Sequence, residues 1–112
     1  MLIARRGPHK SLGGKWEFPG GKIEETENPV EALVREMGEE FDMQLNVREH
    51  YITVNHSYPT FDIELTGFLA DYISGTSTST DHDIVEWVDV KDLFSFDLAE
   101  ADIPIAKKLV EQ

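Results

Sequence analysis

The sequence predicts an α/β (α+β) fold, and three stretches carry that expectation. Residues 29–41 repeat apolar side chains at helical spacing behind strong start signals. Residues 48–58 and 61–73 alternate apolar and polar side chains on either side of a short turn. Residues 102–110 return to a helical pattern near the end of the chain.

In chain order, Met1 to Arg5 is a short apolar run suited to a strand, and Gly7 to Gly14 is a loop rich in Gly, Pro and Lys. Trp16 to Phe18 leads through Pro19 to the pair Gly20-Gly21. The helix that follows is well signalled. Asn28 suits the N-cap, Pro29 the first helical position, and Glu31 sits where a capping box places its acid. Val30, Leu33, Val34, Met37 and Phe41 share one stripe, and Asp42-Met43 mark the end. Arg48 to Tyr58 reads as a strand with Ile52 and Val54 on one face. Tyr58-Pro59-Thr60 reads as a turn, and Phe61 to Ile73 as the returning strand of an antiparallel hairpin. Ser74 to Thr80 is a polar loop. Ile84 to Val90 is a further strand in which Trp87 is expected to pack. The last helix, from about Asp102 to Val110, offers Ile105, Ala106, Leu109 and Val110 for burial. No internal repeat or linker divides the chain, so one domain over residues 1–112 is expected.

Composition narrows the class. A hydrophobic content of 40% in 112 residues supports a packed core. No apolar run approaches membrane-spanning length, and no secretory pattern or cysteine is present, so a cytoplasmic location is the default expectation. The formal net charge of -12 argues against a nucleic-acid polymer as partner, because phosphate backbones are held by basic patches. A small anionic ligand remains admissible if cations cancel its charge locally.

The chemistry-bearing feature is a cluster of carboxylates. Glu36, Glu39 and Glu40 are spaced i, i+3, i+4, on one side of the helix and away from the apolar stripe. Such a cluster repels itself unless something positive joins it. A hard divalent cation such as Mg²⁺ takes oxygen ligands and retains positions for water and phosphate. Arg35 lies four residues from both Glu31 and Glu39 and can fix a carboxylate in place. A solvated acidic face is the plain alternative. Against it stand the clustering without interleaved Lys and the Gly20-Gly21 pair just upstream.

The segment also resembles the Nudix box: Gly, five residues, Glu, seven residues, Arg-Glu, an aliphatic residue, one residue, Glu-Glu, one residue, Gly, an aliphatic residue. Gly21, Glu27, Arg35, Glu36, Met37, Glu39, Glu40 and Met43 stand at those places, and Asp42 replaces the last Gly. That Gly ordinarily takes a left-handed conformation, which Asp tolerates better than most residues. The stretch Trp16 to Ile23, WEFPGGKI, is similar to the MutT-like branch. Leu98 to Ile105, LAEADIPI, is similar to the CTP pyrophosphohydrolase and 8-oxo-dGTP diphosphatase subgroup.

The resemblance implies a Nudix fold, a mixed β-sheet sandwiched between helices. Leu2 to Arg6 matches the second strand of the family's opening hairpin, so the usual first strand is expected to be lacking and an edge exposed unless another chain covers it. It implies a Mg²⁺-dependent nucleoside triphosphate pyrophosphohydrolase, with Mn²⁺ as a substitute, serving nucleotide-pool sanitation and so DNA repair, as a monomer or homodimer. The metal set it implies is Glu36, Glu39, Glu40, the Gly20 carbonyl and Asp81, which is one methylene shorter than the family's usual Glu. Glu36 or Glu40 would take the proton from the attacking water, Arg35 would orient a box carboxylate, and Glu27 would stabilise the loop and helix. Arg6 and Lys22 are candidate phosphate contacts, each otherwise a surface charge. Asp102 falls where the family reads the base; its alternative is a helix N-cap. Phe18, Tyr58 and Phe61 are candidates for the base pocket and His56 for its wall, while His9, His50 and His82 lack metal-ligand spacing. A non-catalytic nucleotide-sensing Nudix domain, or a hydrolase of another nucleoside diphosphate derivative such as ADP-ribose, are the alternatives.

Overall fold

The computed structural model describes residues 1–21, 23–75, 79 and 82–112. The first helix, α1 (Pro29–Phe41), begins as its sequence directs. Asn28 Oδ1 accepts from the Glu31 N–H at 2.9 Å, and the Glu31 carboxylate accepts from the Asn28 N–H at 3.2 Å. At the other end Asp42 adopts φ 49°, ψ 46°, the left-handed conformation that glycine usually supplies, and its N–H bonds the Met37 carbonyl. The replacement of Gly by Asp therefore keeps the helix stop.

α1 packs through Leu33, Met37 and Phe41 against Leu2, Ala4 and Met43, with Leu45 and Val85 at the margin. Val30 and Val34, expected in the packed stripe, are exposed. The cause is a second grip on the helix. Ala32 is buried and Arg35 and Glu36 are half-buried on the flank that meets the loop at Gly21 and Glu27, so the far margin of the apolar stripe is left in water.

The strands form two antiparallel sheets. In the first, β1 (Leu2–Arg6) lies between β2 (Trp16–Glu17) and β5 (His82–Trp87). Leu2, Ile3 and Ala4 are all buried, as a central strand covered on both faces requires. The second sheet is a long hairpin of β3 (Met43–Tyr58) and β4 (Phe61–Gly75), closed by Pro59-Thr60 with Tyr58 opposite Phe61. It extends beyond the expected ends. Register shifts between Gln44 and Leu45, Val47 and Glu49, and His50 and Ile52 break the simple alternation there, which hides the first residues of β3 from pattern reading.

The expected mixed sheet is thus divided in two; the one isolated parallel pairing among the described residues is Trp16 with Leu98. β4 pairs only with β3 among the described residues. Residues 66–72 of β4, together with Met1, Leu2 and Trp87, line a cleft of about 290 Å³.

The C-terminal region departs from expectation in detail. β5 stops at Trp87, and a 3-10 helix over Val90–Ser95 follows, burying Leu93. Trp87 is 55% exposed and meets Tyr72 edge-on at 5.5 Å, so it packs on the hairpin surface and not in the core. A short 3-10 turn, Glu100–Asp102, leads into α2 (Ile103–Val110). α2 buries Ile105, Ala106 and Leu109 beside Ile3, Val54, Leu93 and Leu98, whereas Val110 stays exposed.

Candidate active site

Arg35 organises the acidic flank of α1. Its Nε and Nη2 donate to the two oxygens of Glu27 at 2.6 and 2.9 Å, a bidentate pair. Nη1 donates to Glu36 at 3.0 Å and Glu39 at 3.2 Å, and Glu24 stands 3.7 Å from Nη2. The Glu27 hydrogen bonds, ahead of every other influence, raise the Arg35 pKa, and the same pair lowers that of Glu27, helped by the Glu24 N–H at 2.9 Å. Of the two acids four residues from Arg35, it engages Glu39; Glu31 is committed to the cap.

Glu36 is seated against the loop, with its side chain 15% exposed. A Cβ added at Gly21 would run into the Glu36 carboxyl, so residue 21 must lack a side chain for Glu36 to lie there. Glu40 is half-buried, one turn on from Glu36, and Gly20 is exposed. Among the described residues no three acidic, His or Cys side chains converge into a metal-holding group. Glu36 and Glu39 are turned to Arg35 instead. The donor set is nonetheless made of hard oxygens, the chemistry that Mg²⁺ takes. Lys22 and Asp81 lie outside the described residues.

A second group forms around Asp102. This carboxyl is buried and accepts from the Phe18 N–H at 3.2 Å. Burial raises its pKa to about 7, opposed by the Phe18 hydrogen bond and aided by the nearby Glu17 charge. It stands at the N-cap position of α2, as the alternative expects, but makes no side-chain cap bond there. The tip of the β3–β4 hairpin is tied to the same turn. The Ala101 N–H donates to the Tyr58 hydroxyl at 3.0 Å, and His56 Nε2 lies 3.1 Å from a Glu100 oxygen. The Tyr58 ring meets those of His56 and Phe61 at 4.6 and 4.9 Å. Phe18 packs against the core cluster, whereas Phe61 is exposed.

The segment Trp16–Gly21 joins the two groups. Phe18 touches Asp102 and Gly21 abuts Glu36. They are three positions apart, at most about 11 Å of extended chain. Arg6, the last residue of β1, lies beside this segment. Its Nε donates to the Ser11 carbonyl at 2.7 Å and its Nη1 to Glu17 at 3.0 Å.

Sequence reasoning missed Glu17, Glu24 and His82. Glu17 stood within the WEFPGGKI stretch and Glu24 in the acidic run before α1, but their partners are set by strand pairing and loop path. His82 lacks metal-ligand spacing in the sequence, and in the structure it bonds a carboxylate.

A family model described as the NUDIX domain matches residues 1–108. The chain belongs to the Nudix family. A CTP pyrophosphohydrolase of Escherichia coli (strain K12) is 31% identical over 105 residues, covering 94% of this chain and 78% of that protein. An 8-oxo-dGTP diphosphatase of the same organism is 30% identical over 109 residues, covering 97% and 84%. Among solved structures, the solution structure of the E. coli ORF135 protein superposes with a TM-score of 0.81 at 32% identity, covering 95% of this chain and 76% of that one. This Nudix chain is a MutT-like hydrolase with the mixed α and β architecture of its relatives. No helix among its described residues is long and apolar enough to cross a membrane.

Proposed function

We propose that residues 1–112 form one Nudix domain that hydrolyses nucleoside triphosphates to the monophosphate and pyrophosphate, with cytidine nucleotides, oxidised purine nucleotides or both as substrates. The observation that carries this reading is the Trp16–Gly21 segment. It ties the buried carboxyl of Asp102 to the box glutamate Glu36. A nucleotide laid along it has its base at Asp102 and its phosphates toward the acidic flank of α1. The two curated relatives are named for activities on such substrates.

In this reading water attacks the β-phosphorus. The bond from that phosphorus to the oxygen bridging the α-phosphorus breaks, and the bridging oxygen leaves with the monophosphate. Glu36 or Glu40 accepts the proton of the attacking water. Arg35, held by Glu27, keeps Glu36 and Glu39 from drifting apart under their own repulsion. Arg6 presents its guanidinium to the phosphates, joined by Lys22. Glu36, Glu39, Glu40, the Gly20 carbonyl and Asp81 are the residues that would hold Mg²⁺ or Mn²⁺. When bound, such an ion lowers the pKa of a coordinated water and neutralises charge on the departing groups.

At the base end, an ionised Asp102 accepts from the exocyclic amine of cytosine, and a protonated one donates to an oxidised purine. Phe18, Tyr58 and Phe61 supply aromatic surface nearby. The test is a pyrophosphate-release screen with Mg²⁺ over cytidine, oxidised guanine and unmodified nucleotides, with ADP-ribose as control. Turnover of triphosphates with pyrophosphate as product is expected. Cleavage of ADP-ribose alone, or nucleotide binding without turnover, would overturn the reading.

A further inference from the structure

We infer that His82 is a positioning residue for Arg6, acting through Glu17. The inference rests on the reading above that Arg6 faces the phosphates.

His82 opens β5, and its side chain is only 5% exposed. Its ring stacks on Phe41, the last residue of α1, with centroids 5.5 Å apart and planes at 28°. Nε2 lies 2.9 Å from Glu17 Oε1, and Arg6 Nη1 lies 3.0 Å from the same oxygen. A carboxylate only accepts, so Nε2 carries the hydrogen. Nδ1 meets the Ser79 hydroxyl at 2.9 Å. One glutamate oxygen on β2 thus receives a donor from β1 and another from β5, the strand beyond it. Arg6 and His82 are register partners across a bulge between Arg5 and Arg6, the kind of irregularity that re-aims a side chain.

The consequence is directional. With Nε held by Ser11 and Nη1 by Glu17, the guanidinium plane of Arg6 is fixed, and its Nη2 edge makes no hydrogen bond to a described residue. Glu17 is half-buried and can hold that plane only if it cannot rotate. The Nε2–H of His82, locked by burial and by the ring stack, denies it that freedom. An apolar residue of similar volume would fill the space beside Phe41 equally well but would leave Glu17 with one anchor fewer.

The experiment compares His82→Leu, His82→Gln and His82→Asn. Gln carries an amide donor near the position of Nε2, whereas Asn places it near Nδ1 and out of reach of Glu17. Leu and Asn are expected to raise KM for the triphosphate about tenfold, within the ~100-fold that a 1 Å misplacement can cost, with kcat little changed. Gln is expected to recover most of the wild-type KM. In an Arg6→Ala background the His82 substitutions should add nothing further to KM. Independently of turnover, rotation of the Arg6 guanidinium about its Nε–Cζ bond, followed by NMR without substrate, should be slow in the wild type and His82→Gln and fast in His82→Asn. Equal rotation in the Gln and Asn variants, or a KM effect that persists without Arg6, would overturn the inference. Should no triphosphate be turned over at all, the proposed function falls while the rotation measurement still decides this point.

Discussion

Replacing Asp102 with Asn removes a charge that burial makes expensive, and the structure sets how the cost depends on pH. The Asp102 pKa rises from 3.8 to about 7 on folding, chiefly through desolvation. The folded state therefore holds a proton that the unfolded state has released, between about pH 4 and pH 7. Below that window both states are protonated and the carboxyl costs nothing. As pH rises through it, native stability falls by up to ~1.4 kcal/mol per unit, and above it the loss is constant. A shift of about 3 units corresponds to about 4 kcal/mol as an upper figure, a large share of the ~5–15 kcal/mol that holds a domain together. Asn cannot ionise, and its Oδ1 can still accept from the Phe18 N–H. The difference between variant and wild type also cancels the opposite contributions of Glu27 and Asp83, whose pKa values are lowered by Arg35 and Arg5. Urea unfolding at pH 4.5, 6 and 7.5 is the assay. Asp102→Asn should lie nearest the wild type at the lowest pH and exceed it increasingly toward pH 7.5. Parallel stabilities at all three pH values would refute the reasoning.

The same titration should reach specificity. Between pH 6 and pH 8 the ratio of cytidine to oxidised-guanine kcat/KM should rise in the wild type and stay flat in Asp102→Asn. Gly21→Ala forces a Cβ into the Glu36 carboxyl, so turnover should fall at least tenfold, while the melting temperature, measured alongside, moves little because Gly21 is exposed. Glu40→Gln should remove most activity and leave the far-ultraviolet circular dichroism unchanged; near-normal turnover would mean the assigned cluster is not the reacting one. Asp42→Val puts a branched side chain at φ 49° and should cost about 1–2 kcal/mol in denaturant unfolding.

The parts of this fold that could be read from sequence are those governed by local rules. The capping box at Asn28, the proline at the first helical position and the stop at Asp42 involve residues within a turn of one another, and each is found. The hairpin is legible from Arg48 onward, with pairing free of shifts from Ile52 to Tyr58 and Phe61, and obscured in the first residues of β3, where bulges invert the parity. Burial was less legible because it depends on what comes to lie against a face. Val34 and Val110 carry the right spacing but stay exposed, and Trp87 ends on the surface because β5 stops there. At the site, the spacing of Glu36, Glu39 and Glu40 was plain, but Arg35's strongest partner was not. Glu27 is eight residues away and reaches Arg35 only because the loop folds back along the helix. Glu17 joins Arg6 and His82 from three strands, a relation that no window of sequence contains.

The electrostatics of the site constrain how it can work. The chain carries a formal net charge of -12, and its proposed ligand is itself anionic. The arginine nearest the acidic cluster is already spent, since Arg35 serves Glu27, Glu36 and Glu39 at hydrogen-bond distance. Arg5 and Lys15 are paired with Asp83 and Asp97. Arg6 offers one edge of its guanidinium, the rest being held by Ser11 and Glu17. An acidic flank with its own arginine committed cannot attract a triphosphate by the chain's charge alone, because like charges at contact repel even when water screens them. The neutralising charge must therefore arrive with the ligand or before it. Hard carboxylate oxygens on one helix flank are what would receive such charge. On this argument Arg35 acts in the free protein as a stand-in counter-ion. It holds Glu36 and Glu39 close enough to be used, at a repulsive cost the helix would otherwise bear by itself.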